Sequence, residues 1–116
     1  MTLLNQGKVD KLSSEIGAEN VPMLLDIFIG ELGSYKTKLQ ELNGDEQIQQ
    51  LKEISHALKS SAASFGADAL RDIAQSIDLK GKQFAELKFE VEGNELCAVM
   101  SQTEQAYSDY RATVTA

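Results

Sequence analysis

The sequence predicts an all-α fold: an antiparallel up-down-up-down four-helix bundle with a short N-terminal capping helix, as a single domain over residues 1–116. Three observations carry this prediction. Apolar residues recur at a spacing near 3.6, and the alternation of a half-buried strand is nearly absent. One proline in the whole chain leaves room for long helices. Turn-forming residues at Gly17, Asn43-Gly44-Asp45 and Gly66-Ala67-Asp68 fall between the periodic stretches. A chain of 116 residues fits one domain and can bury enough surface for an ordinary core.

The first helix is expected from about Asn5 to Ile16, with Val9, Leu12 and Ile16 on one face and Gly17 as its stop. Asn20 is placed to cap the second, and Pro22 fits its first turn, where a missing N–H costs nothing. That helix runs from Val21 to Leu42. Val21, Leu25, Phe28, Leu32, Tyr35, Leu39 and Leu42 form a continuous seam, suited to packing inside a bundle or to a coiled-coil dimer. Gly30 and Gly33 weaken it by about 1 kcal/mol each relative to alanine, which suggests a packing reason. Asp45 is placed to cap a third helix reaching about Phe65. A fourth starts at Asp68, turns Leu70, Ile73, Ala74 and Ile77 inward, and stops near Gly81. Residues 81–92 have no clear period, although Phe84, Leu87 and Phe89 offer apolar contacts. The last helix covers Gly93 to Val114, with Leu96, Val99, Met100, Thr103, Tyr107, Tyr110 and Val114 inward and Cys97 beside them as a small hydrophobe.

Charge narrows the function classes. The net charge is −7 and the isoelectric point about 4.6. Such a chain repels phosphate backbones and anionic lipid, so nucleic acid and membrane are not expected as main partners. A single cysteine makes no internal disulfide and suits a reducing cytosol. MTLLNQGKVD lacks the features of a secretory signal, and VPMLLDIFIG is short and interrupted by Asp26. The expectation is a cytoplasmic protein, and a monomer, because the bundle needs the seam for itself.

The segment ISHALKSSAASFG holds the only histidine. On the third helix Ile48, Leu51, Ile54, Leu58, Ala62 and Phe65 cluster on one side. His56 lies at roughly 140° from Leu51, which turns it to solvent. Its surface neighbours are Lys52 one turn before, Lys59 and Ser60 one turn after, and Ala63 beyond. This is a nucleophile flanked by cations above a floor of small side chains. An ordinary imidazole titrates near pH ~6.5, so a neutral, nucleophilic nitrogen is available at cytosolic pH. A phosphoryl group on that nitrogen is negative, and Lys59 or Lys52 can offset it. A lone exposed histidine between lysines is more commonly a plain solvated residue. No metal site is expected, with one histidine and one cysteine. A Ser-His hydrolase is disfavoured, because no aspartate is expected where it would orient the ring and a convex helix offers no pocket. There is no glycine-rich phosphate loop for ATP.

His56-Ala57-Leu58-Lys59, with Gly66 ten residues after the histidine and Leu70 four further on, resembles the signature H-x-L-K-G-x5-G-x3-L of histidine phosphotransfer domains. Ser60 replaces the family's usual glycine, which keeps a small side chain there. Within the family, LLDIFIGEL and LKEISHALKSSAASFGADAL look most like the free-standing phosphorelay proteins of bacterial quorum sensing. The resemblance implies that His56 takes a phosphoryl group from the aspartyl phosphate of a receiver domain on a hybrid sensor kinase. It then passes the group to the receiver of a response regulator. Mg²⁺ comes with the receiver and none is held by this chain. Lys59 stabilises the phosphoryl oxygens, Lys52, Ser60 and Ala63 contribute to docking, and Gly66 and Leu70 are structural. Such a carrier has no autokinase activity. The alternatives are a helical adaptor that binds receivers without being phosphorylated, or a structural dimer built on the second helix.

Overall fold

Antiparallel helices dominate the computed structural model, which describes residues 2–83 and 86–114. The order is α1 (Gln6–Ile16), a 3₁₀ turn (Ala18–Asn20), α2 (Val21–Glu41), α3 (Gly44–Phe65), α4 (Asp68–Lys82), a π-helical turn (Phe89–Gly93) and α5 (Asn94–Thr113). Helices α2 to α5 form the bundle and α1 caps it. The long-range pairs fix the antiparallel sense. Asp26 meets Arg111 while Lys36 meets Glu104 and Ser101 across α2 and α5.

The inward faces are those of the periodic apolar residues. Leu25, Phe28, Leu32 and Leu39 from α2 meet Leu51, Leu58 and Ala62 from α3, Leu70, Ala74 and Ile77 from α4, and Leu96, Met100 and Tyr107 from α5. Each fully buried leucine or phenylalanine contributes about 1.5–3 kcal/mol of transfer free energy. Phe28 stacks on Phe65 with ring centroids 4.4 Å apart, and Tyr107 meets Phe28 edge-on at 5.1 Å. The Tyr107 hydroxyl donates to the Phe65 carbonyl at 2.6 Å, so one aromatic group ties α5 to an otherwise open carbonyl at the end of α3. Burial pushes the Tyr107 phenol above its ordinary pKa and keeps it a donor.

Three local expectations need adjustment. Asn20 does not cap α2 with its side chain; its amide donates to the Ile16 carbonyl at 2.7 Å and closes α1 instead. Asn43 occupies the cap position of α3, so Asp45 falls in the first turn, where its charge suits the helix dipole without a capping bond. Of the stretch 81–92, Gly81 and Lys82 still belong to α4, and residues 86–92 are ordered beyond it. Leu87 is buried in the core, Phe89 packs against it, and the π-turn leads into α5; Phe84 lies outside the described residues. Of the two α2 glycines, Gly33 has a neighbour at close range, since a Cβ there would meet Glu104 Oε2 at 3.0 Å. Gly30 has nothing within 4 Å. Cys97 is half-buried, and burial pushes its thiol pKa up.

The turn from α3 to α4 determines what faces what in the site below. Gly66 ends α3 in the left-handed conformation, φ 80°. Ala67 N–H reaches back to Ala62 and Gly66 N–H to Ala63, satisfying the last carbonyls of the helix. Asn5 N–H donates to the Gly66 carbonyl at 2.8 Å, and a Cβ at position 66 would lie 2.8 Å from the Asn5 carbonyl oxygen. Asp68, held by Lys8 and Asn5, fastens the same corner, and these hydrogen bonds, Lys8 first, hold its carboxyl below the usual range.

Gly66→Ala therefore places a side chain in a disfavoured backbone region and against Asn5. It is expected to destabilise the fold by about 1–3 kcal/mol in urea unfolding. An unchanged midpoint would show that this corner is not under constraint.

Candidate functional site

Helix α3 buries Leu51, Ile54, Ser55, Leu58 and Ala62, which leaves the opposite side to water. His56 is on that side, with its side chain 63% exposed. Helix α4 runs back antiparallel after Gly66. Its inward residues are Leu70, Ala74 and Ile77, and Asp78 follows Ile77 at the edge facing α3. The Asp78 side chain is only 9% exposed.

Three side chains converge on that carboxylate. His56 Nδ1 lies 3.1 Å from Asp78 Oδ1. Lys59 Nζ donates to Oδ2 at 2.8 Å, and Lys82 Nζ, one turn along α4, approaches the same oxygen at 3.0 Å. The Lys59 hydrogen bond above all, with those of Lys82 and His56, holds the Asp78 carboxyl well below the usual carboxylate range against the opposing effect of burial. The bond to Asp78 likewise pushes the Lys59 ammonium pKa up.

This charge state assigns the ring tautomer. An ionised carboxylate only accepts hydrogen bonds, so Nδ1 must carry the proton and donate to Asp78. In the neutral ring Nε2 then keeps its lone pair, on the side away from the carboxylate.

The expectation that no aspartate would orient the ring is thus overturned. Spacing along α3 does not reveal Asp78, because it reports only neighbours on the same helix. A signal was present: in an antiparallel hairpin reflected about Ala67, position 56 falls opposite 78, and 52 opposite 82. The contact of Lys52 with the α4 end agrees, since a Cβ on Gly81 would lie 3.4 Å from Lys52 Cγ. Lys82 was missed for the same reason.

The other predicted residues are distributed along this face. Lys52 is one turn before His56 and half-buried, and Ser60 is exposed one turn after it. Ala63 is farther along and lines an open groove of about 430 Å³ with Ser64, Lys8, Lys11, Leu12 and Glu15, between α1 and α3. Gly66 shapes the turn, and Leu70 is fully buried at the start of α4. Ser55, beside the histidine, points inward, and its hydroxyl has no partner among the described residues. It therefore supplies no nucleophile to the surface. Among the described residues, no group of three His, Cys, Asp or Glu side chains is arranged to hold a metal, and no helix is long and apolar enough to cross a membrane.

The site is thus an exposed imidazole with one nitrogen tied to a carboxylate, beside two lysines on antiparallel helices. Residues 23–110 match the family described as Hpt domain. The chain belongs to the Hpt domain family. It is 53% identical over 108 residues to the phosphorelay protein LuxU of Vibrio harveyi, covering 93% of this chain and 95% of the relative. It is 47% identical over 106 residues to LuxU of Vibrio cholerae, covering 91% and 94%. LuxU of Vibrio vulnificus is 47% identical over 112 residues, covering 97% of both. No solved structure gives a significant match. The chain is a phosphorelay carrier, and receiver domains are its partners.

The lowered Asp78 pKa sets a sign for stability against pH. A carboxyl depressed in the folded state adds stability that is fully present above the ordinary carboxylate range near pH ~4, begins to fall there, and is lost only as pH drops to the depressed folded-state value. The stability difference between the wild type and Asp78→Asn should be largest near neutral pH and shrink steadily below pH ~4 in urea titrations. A difference independent of pH would contradict the ionised junction.

Proposed function

We propose that His56 Nε2 is the phosphoryl acceptor of this carrier. The observation that carries this reading is the hydrogen bond from His56 Nδ1–H to Asp78, which leaves the other nitrogen with its lone pair at an exposed position. Nε2 attacks the phosphorus of a receiver's aspartyl phosphate in line. The N–P bond forms as the P–O bond breaks, and the electron pair stays with the receiver's carboxylate. The ring proton remains on Nδ1 against Asp78, so no base is needed to remove it. Passing the group on to a second receiver reverses the same step. Holding the ring in one orientation is the larger part of the chain's contribution, because positioning and charge stabilisation dominate phosphoryl transfer.

Lys59, already on the site, stabilises the phosphoryl oxygens as charge develops on them. Ser60 and Ala63 give a docking floor low enough for a visiting carboxyl-phosphate, and Lys52 adds a cation to the docking surface. A basic cluster on a chain of net charge −7 orients the encounter with an acidic receiver site. In this reading Mg²⁺ belongs to the receiver. The donor is the receiver of a hybrid sensor kinase and the acceptor is a response regulator, in quorum-sensing signalling of the kind its LuxU relatives suggest. The carrier works in the cytoplasm as a monomer without autokinase activity.

Incubation with a phosphorylated receiver should give acid-labile, base-stable label on the wild type and none on His56→Gln of unchanged helicity. Label passing through His56→Gln would refute the assignment. Lys59→Ala should slow transfer by about tenfold or more while changing the unfolding midpoint far less. Equal transfer rates would remove its role. Ser60→Trp should weaken receiver binding with the fold intact, and unhindered binding would move the docking surface elsewhere.

A further inference from the structure

Lys82 has a ready ordinary explanation, since Asp78 and Lys82 are four apart on one helix, a spacing at which opposite charges pair. That explanation leaves the charge of the site unaccounted for. Asp78 Oδ2 already accepts from Lys59 at 2.8 Å, and Lys82 reaches the same oxygen at 3.0 Å. One carboxylate neutralises one ammonium. With the histidine ring neutral, the junction holds one positive charge too many, beside the nucleophile, in a chain that is otherwise strongly acidic. Two ammonium groups crowded on one oxygen also repel each other.

We propose that Lys82 is a second phosphoryl-holding cation, parked on Asp78 until His56 is phosphorylated. This rests on the reading of His56 as the acceptor. A phosphoryl group brings a charge of about −2, which the surplus cation offsets in part. The Lys82 side chain is 58% exposed and long enough to swing, whereas the Asp78 carboxylate stays anchored by Lys59 and His56 Nδ1–H. Because Lys59 comes from α3 and Lys82 from α4, the two cations reach the phosphoryl group from different helices. The charge is then held from two sides of the hairpin, an arrangement that Lys59 alone does not provide. Lys82 acts on the group in transfer, and Asp78 is the positioning residue for both lysines and the ring.

A small donor separates phosphoryl stabilisation from receiver docking. With phosphoramidate, the Nε2 lone pair forms the N–P bond while the donor's P–N bond breaks and ammonia leaves with the electron pair. Lys82→Met keeps the apolar stem and removes the charge; Lys82→Arg keeps the charge. We expect Lys82→Met to be phosphorylated about tenfold more slowly by phosphoramidate, Lys82→Arg to recover most of the rate, and both to retain wild-type helicity. In the wild type, the NMR resonance of the Lys82 ε-methylene should shift when His56 is phosphorylated. A wild-type rate for Lys82→Met with phosphoramidate overturns the proposal, and so does slowing confined to the receiver reaction, which would make Lys82 a docking residue. Failure of Lys82→Arg to recover the rate also overturns it. If instead label appears on His56→Gln, the reading of the acceptor fails, which is a different result.

Discussion

The site depends on one buried carboxylate. Asp78 accepts from the ring of the only histidine and from Lys59 on α3, and also from Lys82 on its own helix. Taking a carboxylate out of water costs several kcal/mol unless it is paired and hydrogen-bonded. Here the cost is offset by contacts that also fix the orientation of the imidazole. The carboxylate stays ionised because cations surround it, and because it is ionised it can only accept. The histidine must therefore present Nε2. Removing any one member changes the demands on the rest, so these residues are coupled, and single substitutions will not add.

The bundle supplies what this junction needs. Asp78 faces His56 only if α3 and α4 keep their register, and the register is set at the turn between them. Gly66 allows the left-handed end of α3, and Asn5 and Lys8 of the capping segment hold the corner from outside. Tyr107 closes the same end of α3 from the far side of the core. The short first helix is thus part of the frame that places His56, although the histidine is about 15 Å along α3 from the turn. Its groove with Ala63 also extends the exposed face beyond the histidine toward Lys11 and Leu12.

Local information carried much of this. The 3.6 spacing located the five helices within a residue or two, and the position of His56 relative to Leu51 turned it to solvent, as its exposure shows. The lysines one turn either side were legible because they are neighbours on the same helix. Asp78 and Lys82 were not, since they meet His56 only through the hairpin and are 22 and 26 residues away. Periodicity reports which face of a helix is buried, and it is silent on which residues of two helices stand opposite one another. The reflection about Ala67 would have supplied that. Residues 89–92 were opaque for another reason: the π-helical turn they form with Gly93, which the spacing had placed at the start of α5, follows neither the period of a helix nor that of a strand.

Which ring nitrogen carries the proton in the resting protein decides whether Nε2 has a lone pair to offer. Long-range ¹⁵N–¹H correlation on the imidazole of His56, in wild type at a pH where the ring is neutral, measures this directly. The account predicts a protonated Nδ1 and a bare Nε2, with the preference weakened in Asp78→Ala. A ring protonated mainly at Nε2 would contradict it, because the exposed nitrogen would then have no lone pair to offer.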